Sequence, residues 1–133
     1  MNYYSISKET IDLLYQSRNS LKHSPLDQTL ISLVELYVSM INECEYCIRF
    51  HTADALKSGN SQERLDALSD WQSSTKFSER EKIALEWGRI VTEVSRKADV
   101  AMLAPYFSER EIVDLTAAIS LMNALNRIAI YLR

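Results

Sequence analysis

Apolar residues recur along this chain three and four positions apart, the period of helices that bury one face. After Ser7 the set Ile11, Leu14, Tyr15, Arg18 and Leu21 falls at that spacing and predicts a first helix. Pro25, near the first helical position, is expected to open a second, with Leu30, Leu33, Val34, Tyr37 and Met40 facing inward. A third is predicted from about Cys44 to Gly59, whose missing Cβ suits a left-handed C-cap. Ser61 is placed to cap a fourth, short helix carrying Leu65, Leu68 and Trp71. Two further starts are marked by the same five residues, Phe77-Ser78-Glu79-Arg80-Glu81 and Phe107-Ser108-Glu109-Arg110-Glu111. Each sets a Ser three residues before a Glu, the capping-box arrangement, with a Phe in front as an apolar staple. Ile112 stands ready to meet the second Phe, whereas Lys82 takes that place in the first, so the first staple is expected to be weaker. The sequences that follow diverge, and we read two independent helix starts. The predicted fold class is all-α: one domain over residues 1–133, a bundle of about six helices.

Composition sharpens this picture. Two Gly and two Pro leave almost no material for strand turns. Pro25, Gly59 and Pro105 fall between periodic segments, while Gly88 lies inside one, where another helix is expected to approach closely. Hydrophobic residues make up 47% and charged residues 25%, the balance of a folded domain. The net charge is −3 and the cations are scattered, so no nucleic acid is expected as a partner. The stretch Ile112 to Leu132 is the most apolar, but Asp114, Thr116, Ser120, Asn123, Asn126 and Arg127 interrupt it. It reads as a buried or interface helix, and no membrane span is expected. A helix with so little polar surface needs a cover, from its own domain or from a partner subunit, and a homo-oligomer is expected. Asn123, Asn126 and Arg127 are expected to satisfy polar groups at such an interface, with service to the chemical site as the alternative. The opening residues lack a basic segment followed by an apolar one, which predicts no secretory signal and a cytoplasmic location.

The chemistry concentrates in Glu43-Cys44-Glu45-Tyr46-Cys47-Ile48-Arg49-Phe50-His51. A secreted scaffold would spread its cysteines to staple distant segments, but here both fall within one helical turn. Each helical residue advances roughly 100°, so Cys44, Cys47 and His51, at offsets of three, four and seven, project from one face. Cys44 falls at the predicted helix start, where free N–H groups and the dipole favour a thiolate. His51 is able to take the proton of Cys47 or hand one to a leaving oxygen. A peroxide would convert one cysteine to a sulfenic acid, the other would condense with it to a disulfide, and thiol exchange would restore the pair. Two other readings use the same residues. One is a pair of buried structural cysteines beside a core histidine. The other is a zinc site, which would need a fourth ligand from His23, Glu43 or water.

The run Asn42 to Thr52 resembles the signature of the carboxymuconolactone decarboxylase-like proteins, and more closely their alkylhydroperoxidase D-like branch. The similarity continues through Ala53, Ala55, Arg64-Leu65, Trp71, Phe77 to Arg80, Ala84-Leu85, Trp87 and Val91-Thr92, and returns at Phe107, Leu115, Asn123 and Asn126-Arg127. The resemblance implies an all-helical fold, assembly into trimers or hexamers, and disulfide-linked peroxidase or reductase activity. It implies Cys47 as the peroxide-reactive cysteine, Cys44 as the resolving one and His51 in the proton relay. The family pattern also places a glutamate twelve residues before the first cysteine, where this chain has Ser32. Glu35, one turn further on, is the candidate to replace it. Glu43 stands where the family commonly has Gly, and its charge would oppose a thiolate at Cys44.

The catalytic set expected is therefore Cys44, Cys47, His51 and Glu35, with no cofactor and no metal. The expected partners are a peroxide or disulfide substrate and an external thiol reductant. Two alternatives stand beside this: a non-catalytic or weakly active oligomeric family member, or a cofactor-free decarboxylase of a lactone acid.

Overall fold

The computed structural model describes residues 1–133 as helices joined by short turns, with no strand. The α-helices are α1 (Tyr3–Ile6), α2 (Lys8–Ser20), α3 (Gln28–Ile41), α4 (Glu45–Lys57), α5 (Gln62–Asp66), α6 (Glu79–Thr92) and α7 (Glu109–Leu132). Single turns of tighter helix sit at Leu21–His23, Leu68–Asp70 and Val100–Leu103.

The all-α expectation holds, and most boundaries follow from capping chemistry. Ser78 and Ser108 each accept from the backbone N–H three residues on, and Glu81 and Glu111 each accept from the serine N–H in return. Both phenylalanines are buried to the same degree. A guanidinium covers each ring, Arg64 over Phe77 at 5.1 Å and Arg80 over Phe107 at 4.4 Å. Ser61 caps α5 as expected, but that helix stops at Asp66, and Leu68 and Trp71 enter the core from the following turns.

Pro25 does not open a helix. α3 begins at Gln28, because the Asp27 side chain accepts from the Leu30 N–H at 3.1 Å and proline has no such acceptor to offer. α1 was not legible at all: four residues carry no measurable period.

α3 is the axis of the bundle, packed against α4, α6 and α7. Leu30, Leu33, Val34 and Val38 are fully enclosed, and Ser32, Glu35 and Ser39 are buried with them. A helix covered on every side is what an unbroken apolar run demands. Gly88 of α6 faces Val34 and Val38, and a Cβ there would lie 3.6 Å from each, the close helix approach expected of it.

α7 is long and apolar enough to cross a membrane by length and composition, with a third of its apolar window buried in this chain. Its inner face joins α2, α3 and α6, and its polar residues bond inside the domain. Asp114 accepts from Ser24 and Arg110, and Asn126 donates to Ser39 Oγ. These contacts make it the long core helix of the bundle. Asn123 and Asn126, expected at a subunit interface, instead accept from Asn42 Nδ2 at 2.9 and 3.0 Å and tie the end of α3 to α7.

Candidate redox site

The turn between α3 and α4 builds the site. Helix α3 ends in a Schellman motif: the Glu43 N–H donates to Met40 O and the Cys44 N–H to Ser39 O. The motif requires a left-handed residue, and Glu43 takes it with φ 54°. That is the physical reason for glycine at this place, and Glu43 holds the conformation at a cost of about 1–2 kcal/mol. Its carboxylate is exposed to solvent, so the backbone, more than the charge, is what this position is about.

Cys44 is thereby both the last residue of the α3 cap and the N-cap of α4, with Cys47 one turn below. The two are joined by a disulfide, their Cα atoms 5.2 Å apart. Bonded to each other, the sulfurs offer no thiolate pair to a metal in this state. Both are buried against Ala129 of α7. They differ in outlook. Cys47 opens on a cavity of about 210 Å³, and Cys44 does not line it. The walls are mostly apolar and aromatic, including Tyr15, Tyr46, Phe50, Leu125 and Ile128. At the edge of that cavity the terminal Arg133 guanidinium lies 3.3 Å from the ring centre of Tyr46.

His51 lines the same cavity as Cys47, one helical turn away, whereas Cys44 stands outside it as the N-cap of α4, so two of the three expected residues meet at the cavity. The imidazole is buried and its Nδ1 has no hydrogen-bond partner. Burial, assisted by the nearby Arg18 charge, pulls the His51 pKa down to about 4, with Asp54 acting against it. At neutral pH the ring is a neutral proton acceptor. The folded state thus binds fewer protons than the unfolded chain between about pH 4 and 6.5, and the stability His51 contributes is lost as pH falls through that window. Glu35 works with the opposite sign where its raised pKa applies. The expected NMR result is that His51 ring resonances stay fixed from pH 8 to 6 and move only near pH 4; a midpoint near 6.5 would contradict this environment.

Glu35 sits beside His51, brought from α3. It is buried and accepts from Arg18 Nε at 2.6 Å and from Arg18 Nη2 at 3.1 Å. Burial pushes its carboxyl above the usual carboxylate range, with the Arg18 guanidinium pulling against that. The same Arg18 Nη2 donates to Asp54 at 3.2 Å. Ligand atoms of Glu35, His51 and Asp54 all lie within 4.8 Å of one another, but the guanidinium already bonds both carboxylates.

Ser32, at the family's glutamate position, is turned to structure: its Oγ donates to Thr29 O and accepts from Asn60 Nδ2. His23 is exposed on its turn, among neither the cavity nor the carboxylate group. Arg18 and Asp54 were not singled out by sequence reasoning. The signal for Arg18 was a cation on the inward stripe of α2, which needs a buried partner; Asp54 follows His51 by three, on its own side of the helix.

A helical bundle that presents a Cys-x-x-Cys disulfide at a helix start, above a buried imidazole, defines an alkylhydroperoxidase D-like protein by fold and motif. The chain belongs to the carboxymuconolactone decarboxylase family, whose model matches residues 9–89. It is 31% identical to the uncharacterized protein YdfG of Bacillus subtilis, over 98% of this chain and 91% of that one. The uncharacterized protein YnjA of Escherichia coli is 32% identical over 77% of this chain and 58% of its own length. Among solved structures, a protein of unknown function from Agrobacterium tumefaciens, proposed to be the antioxidant defence protein AhpD, superposes with TM-score 0.91. It is 31% identical and the match covers 98% of this chain and 92% of that one. An uncharacterized peroxidase-related protein from Silicibacter shares the fold, with TM-score 0.84 at 22% identity over 95% of this chain and 69% of its own.

Proposed function

We propose that this protein is a thiol-dependent antioxidant oxidoreductase, a peroxidase or disulfide reductase that cycles between the Cys44–Cys47 disulfide and the dithiol. The observation that carries the reading is the asymmetry of the pair: of the two sulfurs, Cys47 faces the apolar cavity, and it shares that cavity with a neutral imidazole.

In the reduced protein His51 takes the Cys47 proton. The thiolate attacks the outer peroxide oxygen, the S–O bond forms as O–O breaks, and the departing alkoxide leaves as alcohol with the proton from His51. Cys44, at the helix start where the dipole favours its thiolate, then attacks the sulfenic sulfur. The S–S bond forms and hydroxide leaves as water with the proton Cys44 gave up. An external thiol reductant restores both thiols by exchange. Glu35, beside His51, serves the proton relay in place of the glutamate that Ser32 replaces.

The exposed Val113, Ile130, Tyr131 and Leu132 of α7 support self-association, and we extend the proposal to a homo-oligomer, a trimer or hexamer, in the cytoplasm. The test is peroxide-dependent consumption of a dithiol. Wild type is expected to turn over, and Glu35→Gln to slow it about a hundredfold, the low end of a proton-transfer effect. Unchanged kinetics would remove Glu35 from the relay. A wild type inert to peroxides and to disulfides would overturn the enzyme reading in favour of a non-catalytic oligomer.

A further inference from the structure

We propose that Arg18 and Asp54 complete the proton path of this site: Asp54 exchanges protons with solvent from a polar cleft separate from the Cys47 cavity, and Arg18 is the positioning residue that holds Asp54 and Glu35 beside His51. The proposal rests on the redox reading above and deepens it.

Proton bookkeeping makes such a path necessary. Exchange with an external dithiolate delivers two electrons and no proton: R(S⁻)₂ plus the Cys44–Cys47 disulfide plus two H⁺ gives the cyclic disulfide RS₂ and two cysteine thiols. Both protons come from solvent. Cys47 leaves as a thiolate in a buried, largely apolar place, where an uncompensated charge is strongly disfavoured. Proton-carrying groups beside that sulfur neutralise it without water having to enter the apolar cavity.

The geometry supplies one. A nitrogen of His51 and carboxylate oxygens of Glu35 and Asp54 lie within 4.8 Å of one another, a span that one water bridges. Both carboxylates line one polar cleft, but the Glu35 side chain is 4% exposed and the Asp54 side chain 37%, so Asp54 is the one more open to solvent. It does so in a second cavity of about 190 Å³, with polar walls that include Gln28, Ser32 and Ser58. Arg18 is the residue that lines both cavities. Its single Nη2 donates to Glu35 Oε1 and to Asp54 Oδ2, which fixes the spacing of the two carboxylates on the wall of the second cavity.

The groups facing His51 divide simply. Arg18 comes from α2, Glu35 from α3 and Asp54 from its own helix, while the cavity adds the phenols of Tyr3, Tyr15 and Tyr46. α7 itself lines the cavity with no ionisable side chain, and its C-cap Arg133 adds a guanidinium at the edge, over Tyr46. Burial and Arg18 keep the ring neutral, and Asp54 is the group that opposes them. The anion that meets solvent is thus also the one that favours a proton on the ring.

The experiment is stopped-flow reduction of the disulfide by a dithiol, and steady-state peroxide turnover, in wild type and Asp54→Asn. The asparagine keeps an oxygen acceptor for Arg18, so the fold and the KM for peroxide are expected to hold. The rate is expected to fall about tenfold, and to be recovered by added small acids such as imidazole or formate, which reach the cleft. A merely structural role for Asp54 would give no such recovery. A working wild type with Asp54→Asn at the same rate, or slow without acid rescue, would overturn the proposal and leave the redox reading standing. A wild type that neither reacts with peroxide nor is reduced by the dithiol would overturn both.

Discussion

Cys47→Ser is expected to abolish peroxide turnover, a loss of at least about a thousandfold. Serine keeps the size of the side chain but supplies no thiolate at neutral pH, and no other thiol lines the cavity. Cys44→Ser is expected to fail differently. Its Cys47 still meets peroxide, but the sulfenic acid has no neighbouring thiol to condense with. Trapping with a sulfenic-acid reagent and mass spectrometry distinguish the two: an adduct on Cys47 in Cys44→Ser, and none in Cys47→Ser. An adduct on Cys44 in the Cys47→Ser protein would reverse the assignment. The helix dipole at Cys44 argues for that reversal, and the cavity at Cys47 argues against it. We place the cavity first, because a thiolate without access to peroxide does no chemistry.

Arg18→Met is expected to be the most damaging single change for stability. Glu35 is buried inside the most enclosed helix of the bundle, and Arg18 is its bonded cation. Removing one partner of a buried pair destabilises by roughly 3–5 kcal/mol, because the remaining charge is left without compensation. Asp54 cannot relieve this, since it carries the same sign. The direction with pH follows. Glu35, already above the usual carboxylate range through burial, would rise further without the guanidinium. A raised folded-state pKa means stability falls as pH rises through it, so the Arg18→Met deficit should be deepest at neutral pH and shrink in acid. Urea unfolding of Arg18→Met and of the double variant Arg18→Met/Glu35→Leu checks the cause. Recovery of most of the loss in the double variant is expected; none would show that Arg18 acts through packing alone.

These results turn on residues that were unequally legible in the sequence. Cys47 and His51 were readable because one helical turn brings them to one cavity, and Cys44 because the α4 start falls where it was expected, with Cys44 as its N-cap. The capping boxes at Ser78 and Ser108 were readable because every bond in them is local. Pro25 misled because its helix preference is real but weaker than the Asp27 acceptor two residues later. Arg18 and Asp54 were missed because their meaning lies in a contact between α2, α3 and α4, and spacing within one element says nothing of it. Glu43 was weighed for its charge, whereas its φ of 54° gives it a backbone role that no side-chain argument reaches. The apolar wall from α7 around Cys47 was likewise invisible, since seventy-odd residues separate it from the motif.

The most direct measurement is a count of free thiols through one full cycle, in reduced protein, after a stoichiometric alkyl or hydrogen peroxide, and after an added dithiol. With two cysteines in the chain, the account requires two thiols, then none, then two again, with one peroxide consumed per chain. Two thiols that persist in the presence of peroxide, or thiols lost to it that a dithiol cannot restore, would contradict it.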